Sequence, residues 1–408
     1  MAGVTQPTTL RPATVRPLVI GPHRVPTPVV LAPMAGITNQ AYRRLCREHA
    51  AAGGGRGVFV SEMVTSRALL ERGDESLRLV RHDPDEFPRS VQLYGVDPGT
   101  VAAAVRMLVE EGMADHVDLN FGCPVPKVTR KGGGSALPWK TQLFRAIVAG
   151  AVRAAAGHGV PVTVKMRKGV DDDHLTYLDA GRIAAAEGVA AVALHARTAA
   201  DYYSGTADWA AIARLKEAVD AEVAGLPVLG NGDVWSADDA LRMVAETGCD
   251  GVVVGRGCLG RPWLFHDLAA AFAGRAERVT PTLGEVLVTM RRHVELLTEH
   301  YLAVYPRDGE LRACRDIRKH IAWYLKGYVV GHEVRARLGL VESLAAFDAI
   351  VAGLDGAQPH PGEPAEGPRG RSGSARTVHV PDGWLADREL DAAGAAAVSA
   401  AELSVSGG

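Results

Sequence analysis

The sequence predicts an α/β fold: a (β/α)8 TIM barrel, then a smaller all-helical domain, then a flexible tail. Three observations predict it. Eight short apolar runs alternate with helix-like stretches over about 240 residues. Most of those runs are apolar throughout, as parallel strands buried on both faces must be. Each run ends in a polar or glycine-bearing group, and a barrel gathers such ends on one rim. A doubly wound open sheet is the alternative fold, and it has no use for so many polar strand ends.

Taken in order, residues 1–16 are polar, proline-bearing and without period, and are expected to be disordered. Residues 17–28 read as a short hairpin turning near Pro22 and His23. Strands are expected at 29–34, 58–63, 90–95, 116–121, 160–167, 190–196, 226–231 and 250–255. Helices are expected at 39–48, 98–111, 143–156, 176–187, 209–219 and 236–247, with a charged helix-like stretch running to Leu79. Ser236 suits an N-cap, with Asp238 and Asp239 favouring the positive end of the helix it opens. The barrel should occupy 17–280. Pro281 and Thr282 mark a linker, and helical periodicity takes over in 281–352. Past Gly353 the composition turns to Gly, Pro, Ala and Ser. Residues 353–408 are expected to be flexible and are assigned no function, with VHVPDGWLADREL as a brief structured patch.

Composition excludes several classes. A net charge of −2 rules out a globally basic nucleic-acid binder, so any such contact must come from a local patch. Five cysteines, an odd number without CxxC spacing, argue against a disulfide framework or a zinc site and for a reducing compartment. No metal is expected. The N-terminus has no apolar signal segment, and no apolar run reaches the roughly 18 residues of a membrane helix. The expectation is a cytoplasmic protein with no membrane association and no inferred protein partner.

The stretch HVDLNFGCPVPKVTRKGGGSALP carries the first chemical signal. It opens as a strand and stops at Gly122-Cys123-Pro124, because Pro124 has no N–H to extend a sheet. A lone cysteine is ordinarily one more small buried residue. Here it stands at a strand end, before a loop with three glycines and the cations Lys127, Arg130 and Lys131. The other strand ends deliver Pro33-Met34-Ala35, Glu62, Gln92, Asn120, Lys165 with Arg167, His195 with Arg197, Asn231-Gly232-Asp233 and Gly255-Arg256. The last two strand ends are glycine-rich, as in barrel phosphate sites, and Arg256 adds a bidentate donor. Gln92 offers an amide to a pyrimidine edge. Lys165 offers a cation to the N1–C2 edge of a reduced flavin, and residues 33–35 a surface for its ring. Without a GxGxxG fingerprint, FMN fits better than FAD or tightly held NAD. In the helical region Arg312, Arg315, Lys319, Trp323 and Lys326 fall on one helical face, a basic stripe suited to an RNA backbone or simply a solvated surface.

LAPMAGITN, SEMVTSRAL, VQLYGVDP, DLNFGCPVPKVTRKGGGSAL, VTVKMRKG, LHARTA, NGDV, VGRGCLGRPWLF and RKHIAWYL stand in the order and spacing of the tRNA-dihydrouridine synthases. From about Leu18 to Ala346 the chain resembles that family, most closely its bacterial B-type subgroup. The resemblance implies FMN held by Pro33, Met34, Ala35, Gln92, Lys165, His195, Asn231, Gly232, Asp233, Gly255 and Arg256. It implies Cys123 as catalytic acid and reduction of a uridine in tRNA at the expense of NADPH. On that reading C6 of uracil receives the hydride from N5 of reduced FMN and C5 the proton of Cys123. Asn120 and Arg167 are candidates for the uracil or ribose; Arg130, Lys131, Arg312, Arg315, Lys319 and Lys326 are candidates for the RNA. The sequence departs from the family pattern at Asn39, where Asp is usual, at Ala196, where Gly is usual, and at Gly133, where Ala is common. Tyr94 likewise replaces a smaller or different aromatic residue. Two other readings stay open: an FMN barrel oxidoreductase acting on a free small molecule such as a pyrimidine, and an RNA-binding protein without chemistry.

Overall fold

The computed structural model describes residues 16–370, 373–390 and 392–403. Apart from Arg16, the expected disorder of 1–16 lies outside the described residues.

Strands β1 (Leu18–Ile20) and β2 (His23–Val25) pair antiparallel as the expected hairpin. Eight parallel strands then close into a barrel: β3 (Val29–Leu31), β4 (Val58–Thr65), β5 (Ser90–Tyr94), β6 (His116–Phe121), β7 (Val162–Arg167), β8 (Ala191–His195), β9 (Val228–Asn231) and β10 (Gly251–Val254). Each pairs with the next, and β10 returns to β3 through Val252–Val29 and Val254–Leu31. The expected barrel is present. Because successive side chains on a strand face opposite ways, each strand has one row toward the helices and one toward the barrel interior. The outer row (Leu31, Phe59, Val91, Leu93, Val117, Leu119, Val164, Val192, Val254) packs with the surrounding helices into the main core.

The interior row divides in two. Val30, Val60, Ala193, Leu229 and Val253 make an apolar half, closed at the bottom by Leu18, Ile20 and Val25 of the hairpin. On β5, β6 and β7 the inward positions are Ser90 and Gln92, His116 and Asp118, Thr163 and Lys165, a polar half that leads up to the rim. Between β4 and β5 the register shifts between Val60 and Met63. At that bulge Ser61 Oγ accepts the Gln92 N–H at 3.2 Å.

Four helices follow the barrel: Leu283–Leu302, Gly309–Tyr324, His332–Leu338 and Leu344–Val351. The first starts in a reciprocal cap between Thr282 and Glu285. They bury their own core (Val286, Met290, Val294, Ile317, Ile321, Phe347), and Leu45 and Trp263 of the barrel region join it. Among the described residues, no helix is long and apolar enough to cross a membrane.

The tail departs from the expectation of flexibility. Its described residues lie along the barrel rim. Arg369, 6 % exposed, donates to the carbonyls of Leu259 and Trp323. The Arg376 N–H donates to Ala200 O at 2.8 Å. Trp384 is buried, and a closing helix, Ala392–Leu403, brings Glu402 Oε2 to the Val96 N–H at 2.9 Å. Single side chains spaced along an aperiodic segment hold it, so nothing in its period announces the packing.

Candidate active site

A chain of buried hydrogen bonds runs up the polar half of the barrel. Ser90 Oγ and His116 Nδ1 are 2.5 Å apart, and His116 Nε2 lies 2.8 Å from Thr163 Oγ1. Thr163 donates to Asp118 Oδ1 at 2.6 Å, and Gln92 Nε2 donates to Asp118 Oδ2 at 2.7 Å. Asn120 Nδ2 then donates to Gln92 Oε1 at 2.8 Å. Burial pushes the Asp118 carboxyl up to about 6, against the bonds from Thr163 and Gln92. Both functional groups of Gln92 are thereby oriented, leaving one N–H and one lone pair for another partner.

The network ends at Cys123. Asn120 Oδ1 accepts the N–H groups of Gly122 (3.1 Å) and Cys123 (3.0 Å), which bends the chain sharply off β6. The Cys123 carbonyl accepts both the N–H and the hydroxyl of Ser135, each at 3.1 Å. Gly134, at φ +55°, sits against that carbonyl, and any side chain there would collide with it. The loop between is short helix (Pro126–Thr129) and 3-10 turn (Gly134–Trp139) rather than open coil. Burial pushes the Cys123 thiol up, against the Val125 N–H and the cations Arg167 and Lys165. The other four cysteines are buried; Cys123 alone is partly exposed.

Cations ring the opposite wall. The Lys165 ammonium makes no hydrogen bond among the described residues, and burial, then Arg167, lower it to about 8. Arg167 donates from Nε to the carbonyl of Gly122 (3.0 Å) and from Nη1 to those of Thr198 (2.8 Å) and Tyr202 (2.9 Å). It ties the cysteine turn to the loop after β8. His195 is buried, and burial with Arg167, Lys165, Arg197 and Arg256 holds it far below its ordinary value, hence neutral. Arg197 grips Asp233 through two bonds of 2.9 and 2.8 Å, and the Ala207 N–H adds a third at 2.8 Å. Asp233 sits at φ +54°, held there by these three bonds. Its carboxylate is occupied, so toward a ligand the 231–233 turn presents backbone. Asn231 likewise donates to Val253 O at 2.7 Å. Gly232 has no room for a side chain, since His195 and Ala207 fill the space. Arg256, one residue past Gly255, lies over the rings of Tyr203 (4.3 Å) and Trp235 (5.0 Å). Met34 faces Gly255, Pro33 lines the barrel interior beside Lys165, and Ala35 is exposed at the mouth.

The helical domain reaches this rim through Lys319. Lys319 Nζ bridges the Gly36 carbonyl and the Asp316 carboxylate, while the Gly36 N–H donates to buried Glu62. Asn39 Nδ2 (3.3 Å) and Tyr301 OH (2.9 Å) also donate to Asp316. Asn39 additionally caps the helix Gln40–Ala52. Arg312, Arg315 and Lys319 of the expected basic stripe are exposed, Arg312 stacked on Tyr305 at 3.7 Å. Lys326 differs. It lies beyond the end of its helix and gives its ammonium to the carbonyls of Glu366 and Pro368 in the tail. Trp323 is half-buried, edge-on to His320. Arg130 is exposed and Lys131 half-buried near the Glu402 carboxylate.

The structure thus brings together the strand-end residues expected from the sequence. Asp118, Thr163 and His116 were not singled out, although a polar residue inside an otherwise apolar strand is their visible signal. Tyr203 and Trp384 carry no such signal. Gly133 and Tyr94, two separate departures in the sequence, prove to be neighbours. A methyl at 133 would lie 2.6 Å from Tyr94 Cε2, so the larger ring occupies the space that alanine would need.

Residues 30–352 match the family model described as Dihydrouridine synthase (Dus). A probable tRNA-dihydrouridine synthase of Mycobacterium tuberculosis H37Rv is 57% identical over 370 residues, covering 90% of this chain and 92% of that one. Its Mycobacterium leprae counterpart is 55% identical over 379 residues, covering 88% and 96%. The tRNA-dihydrouridine synthase B of Pseudomonas aeruginosa is 38% identical over 333 residues, covering 81% and 94%. The chain belongs to the dihydrouridine synthase family.

Proposed function

We propose that this protein reduces the C5–C6 bond of a uridine in tRNA to 5,6-dihydrouridine, with FMN as bound cofactor and NADPH as reductant. The observation that carries the proposal is Cys123: a thiol kept protonated by burial, fixed on a rigid turn, facing a wall of cations.

The wall suits the cofactor. The Lys165 ammonium, without a hydrogen-bond partner among the described residues, fits an electron-rich ring edge, and Gln92 keeps one N–H and one lone pair for it. Backbone of Pro33 to Ala35 would flank the ring, with neutral His195 and Asn231 beneath the far side. Gly232, the Asp233 backbone, Gly255 and Arg256 would hold the phosphate. When bound and reduced, FMN supplies the hydride for C6 of the uracil.

The chain's own residues do the rest. Cys123 holds the proton that C5 needs. A raised pKa serves that task, because an acid must be protonated before it acts, and a lowered one would serve a nucleophile instead. Asn120 and Arg167 hold the cysteine turn, one through its N–H groups and the other through its Gly122 carbonyl, and the Arg167 Nη2 would reach the uracil or ribose. The exposed cations Arg130, Arg312, Arg315 and Lys319 would meet the RNA backbone, and the target base must leave its stack to reach the pocket.

The test is the dihydrouridine content of tRNA, by nucleoside mass spectrometry and mapped digests, in cells with and without the gene. Loss at defined positions, restored by the native protein and not by Cys123→Ala, is the expected result. Native turnover by Cys123→Ala would remove the cysteine from its role. An unchanged profile in a strain without a second such enzyme would remove tRNA as substrate.

A further inference from the structure

The family match ends at residue 352, yet the chain goes on to lay a strap along the catalytic rim. The strap touches the loop after β10 through Arg369, the loop after β8 through Arg376, and the end of β5 through Glu402. Its densest attachments are to the loop that follows Cys123. Thr129 Oγ1 donates to His379 O at 2.6 Å. Lys140 Nζ donates to the carbonyls of Asp387 and Glu389, each at 2.8 Å. The Thr141 N–H donates to Arg388 O at 3.2 Å. At the centre stands Trp384, 5 % exposed, whose indole N–H donates to Ala136 O at 2.9 Å. Its ring lies on the bare Cα of Gly132, where any side chain would collide with it, and the Lys140 ammonium sits 5.3 Å above it.

Gly132 and Ala136 bracket Gly134 and Ser135, the two residues packed against or bonded to the Cys123 carbonyl. A run of three glycines does not hold one conformation by itself. On its inner side Tyr94 supports Gly133. On its outer side the support is Trp384.

We propose that Trp384 is a positioning residue for the catalytic loop: from the strap, it fixes Gly132 and Ala136 and through them the orientation of the Cys123 thiol. The inference rests on the reading of Cys123 as proton donor, and it extends the active site to a segment beyond the family match. A merely stabilising contact would change the melting temperature alone. A positioning contact changes turnover and the reactivity of the thiol.

The test uses full-length protein carrying Trp384→Ala or Trp384→Phe, with Thr129→Val as an independent cut of the strap-to-loop bonds. Two quantities are read: kcat and KM with tRNA, and the rate at which iodoacetamide alkylates Cys123 without RNA. Alkylation is specific here because the other four cysteines are buried. Trp384→Ala is expected to lower kcat roughly tenfold or more with little change in KM for tRNA. It should speed alkylation by about fivefold, through easier opening of the loop. Trp384→Phe, which keeps the packing and loses the bond to Ala136, should fall between. A folded Trp384→Ala protein with native kcat and native alkylation overturns the proposal. If that variant does not fold, native values in both Trp384→Phe and Thr129→Val overturn it. Should Cys123→Ala turn over normally while Trp384→Ala still accelerates alkylation, the acid assignment fails and the bracing of the loop stands.

Discussion

Lys165 shows how much one residue can be asked to do in a barrel mouth. Its stem rises through the interior and its ammonium ends without a hydrogen bond among the described residues, lowered to about 8 by burial and by Arg167. A charge so placed is stabilised by an anionic or electron-rich ligand. Replacing it by methionine should weaken flavin binding by about 10- to 100-fold, the loss of one charge-assisted hydrogen bond of roughly 1.5–3 kcal/mol. Fluorescence titration of flavin into stripped protein measures this. The sign with pH follows. Lys165 loses its proton as pH rises through about 8, so native affinity should fall above that value, and the Lys165→Met protein should lack this step. The identity of Lys165, Gln92 and Cys123 as rim residues was legible in the sequence, because each ends a recognisable strand. What they bond to was not. The Gln92–Asp118–Thr163 linkage joins three strands, and inter-strand register cannot be read from one strand at a time.

Among elements, the loop from Pro126 to Trp139 is the most constrained by its neighbours. Gly133 and Tyr94 form a size-matched pair, and each alone looks like an arbitrary departure. Gly133→Ala should therefore destabilise the protein by about 1–3 kcal/mol through overpacking. Tyr94→Leu should relieve most of that cost. A double-mutant cycle by urea denaturation would show coupling of about 1 kcal/mol or more; additive effects would mean the ring moves aside freely. The strands and long helices were legible because period and capping are local: Asn39, Ser236 and Thr282 all cap as their types suggest. Of the strap, only the patch at 378–390 was legible; the rest was not, because its composition has no period and its anchors are single residues. Lys326 went astray for the same reason, its partners lying in the strap.

At the scale of the whole molecule, buried histidines set the acid limit of the fold. Burial holds His116, His293 and His300 down to about 3, where each packs among or bonds to neutral or cationic groups. Their folded pKa values lie below the unfolded value of about 6.5, so the unfolded chain binds protons first as pH falls. Their contribution is complete above about 6.5 and lost progressively between there and about 3. At pH 5 that is roughly 2 kcal/mol for each. Raised carboxylates such as Asp118 oppose the trend, taking up protons in the folded state from about 6 downward. Three histidines outweigh it. The urea midpoint should fall markedly between pH 7.5 and pH 5, and His293→Gln should flatten the fall. An unchanged midpoint would mean these rings are solvated or already protonated in the folded state.

The strap also gives the protein a timetable. The last barrel strand ends at Val254 and Trp384 comes about 130 residues later. At roughly 5–20 residues per second, the barrel can close some 7 to 25 seconds before the proposed brace for the loop after Cys123 has been translated. A nascent chain in that interval has a complete rim and an unbraced thiol. A premature stop between Val351 and Trp384 would make the same state permanent, leaving a barrel and helical domain with a slack loop at Cys123. Handles for purification belong ahead of the hairpin, which closes the opposite pole, and not after the closing helix, whose Glu402 bonds to the Val96 N–H just past β5.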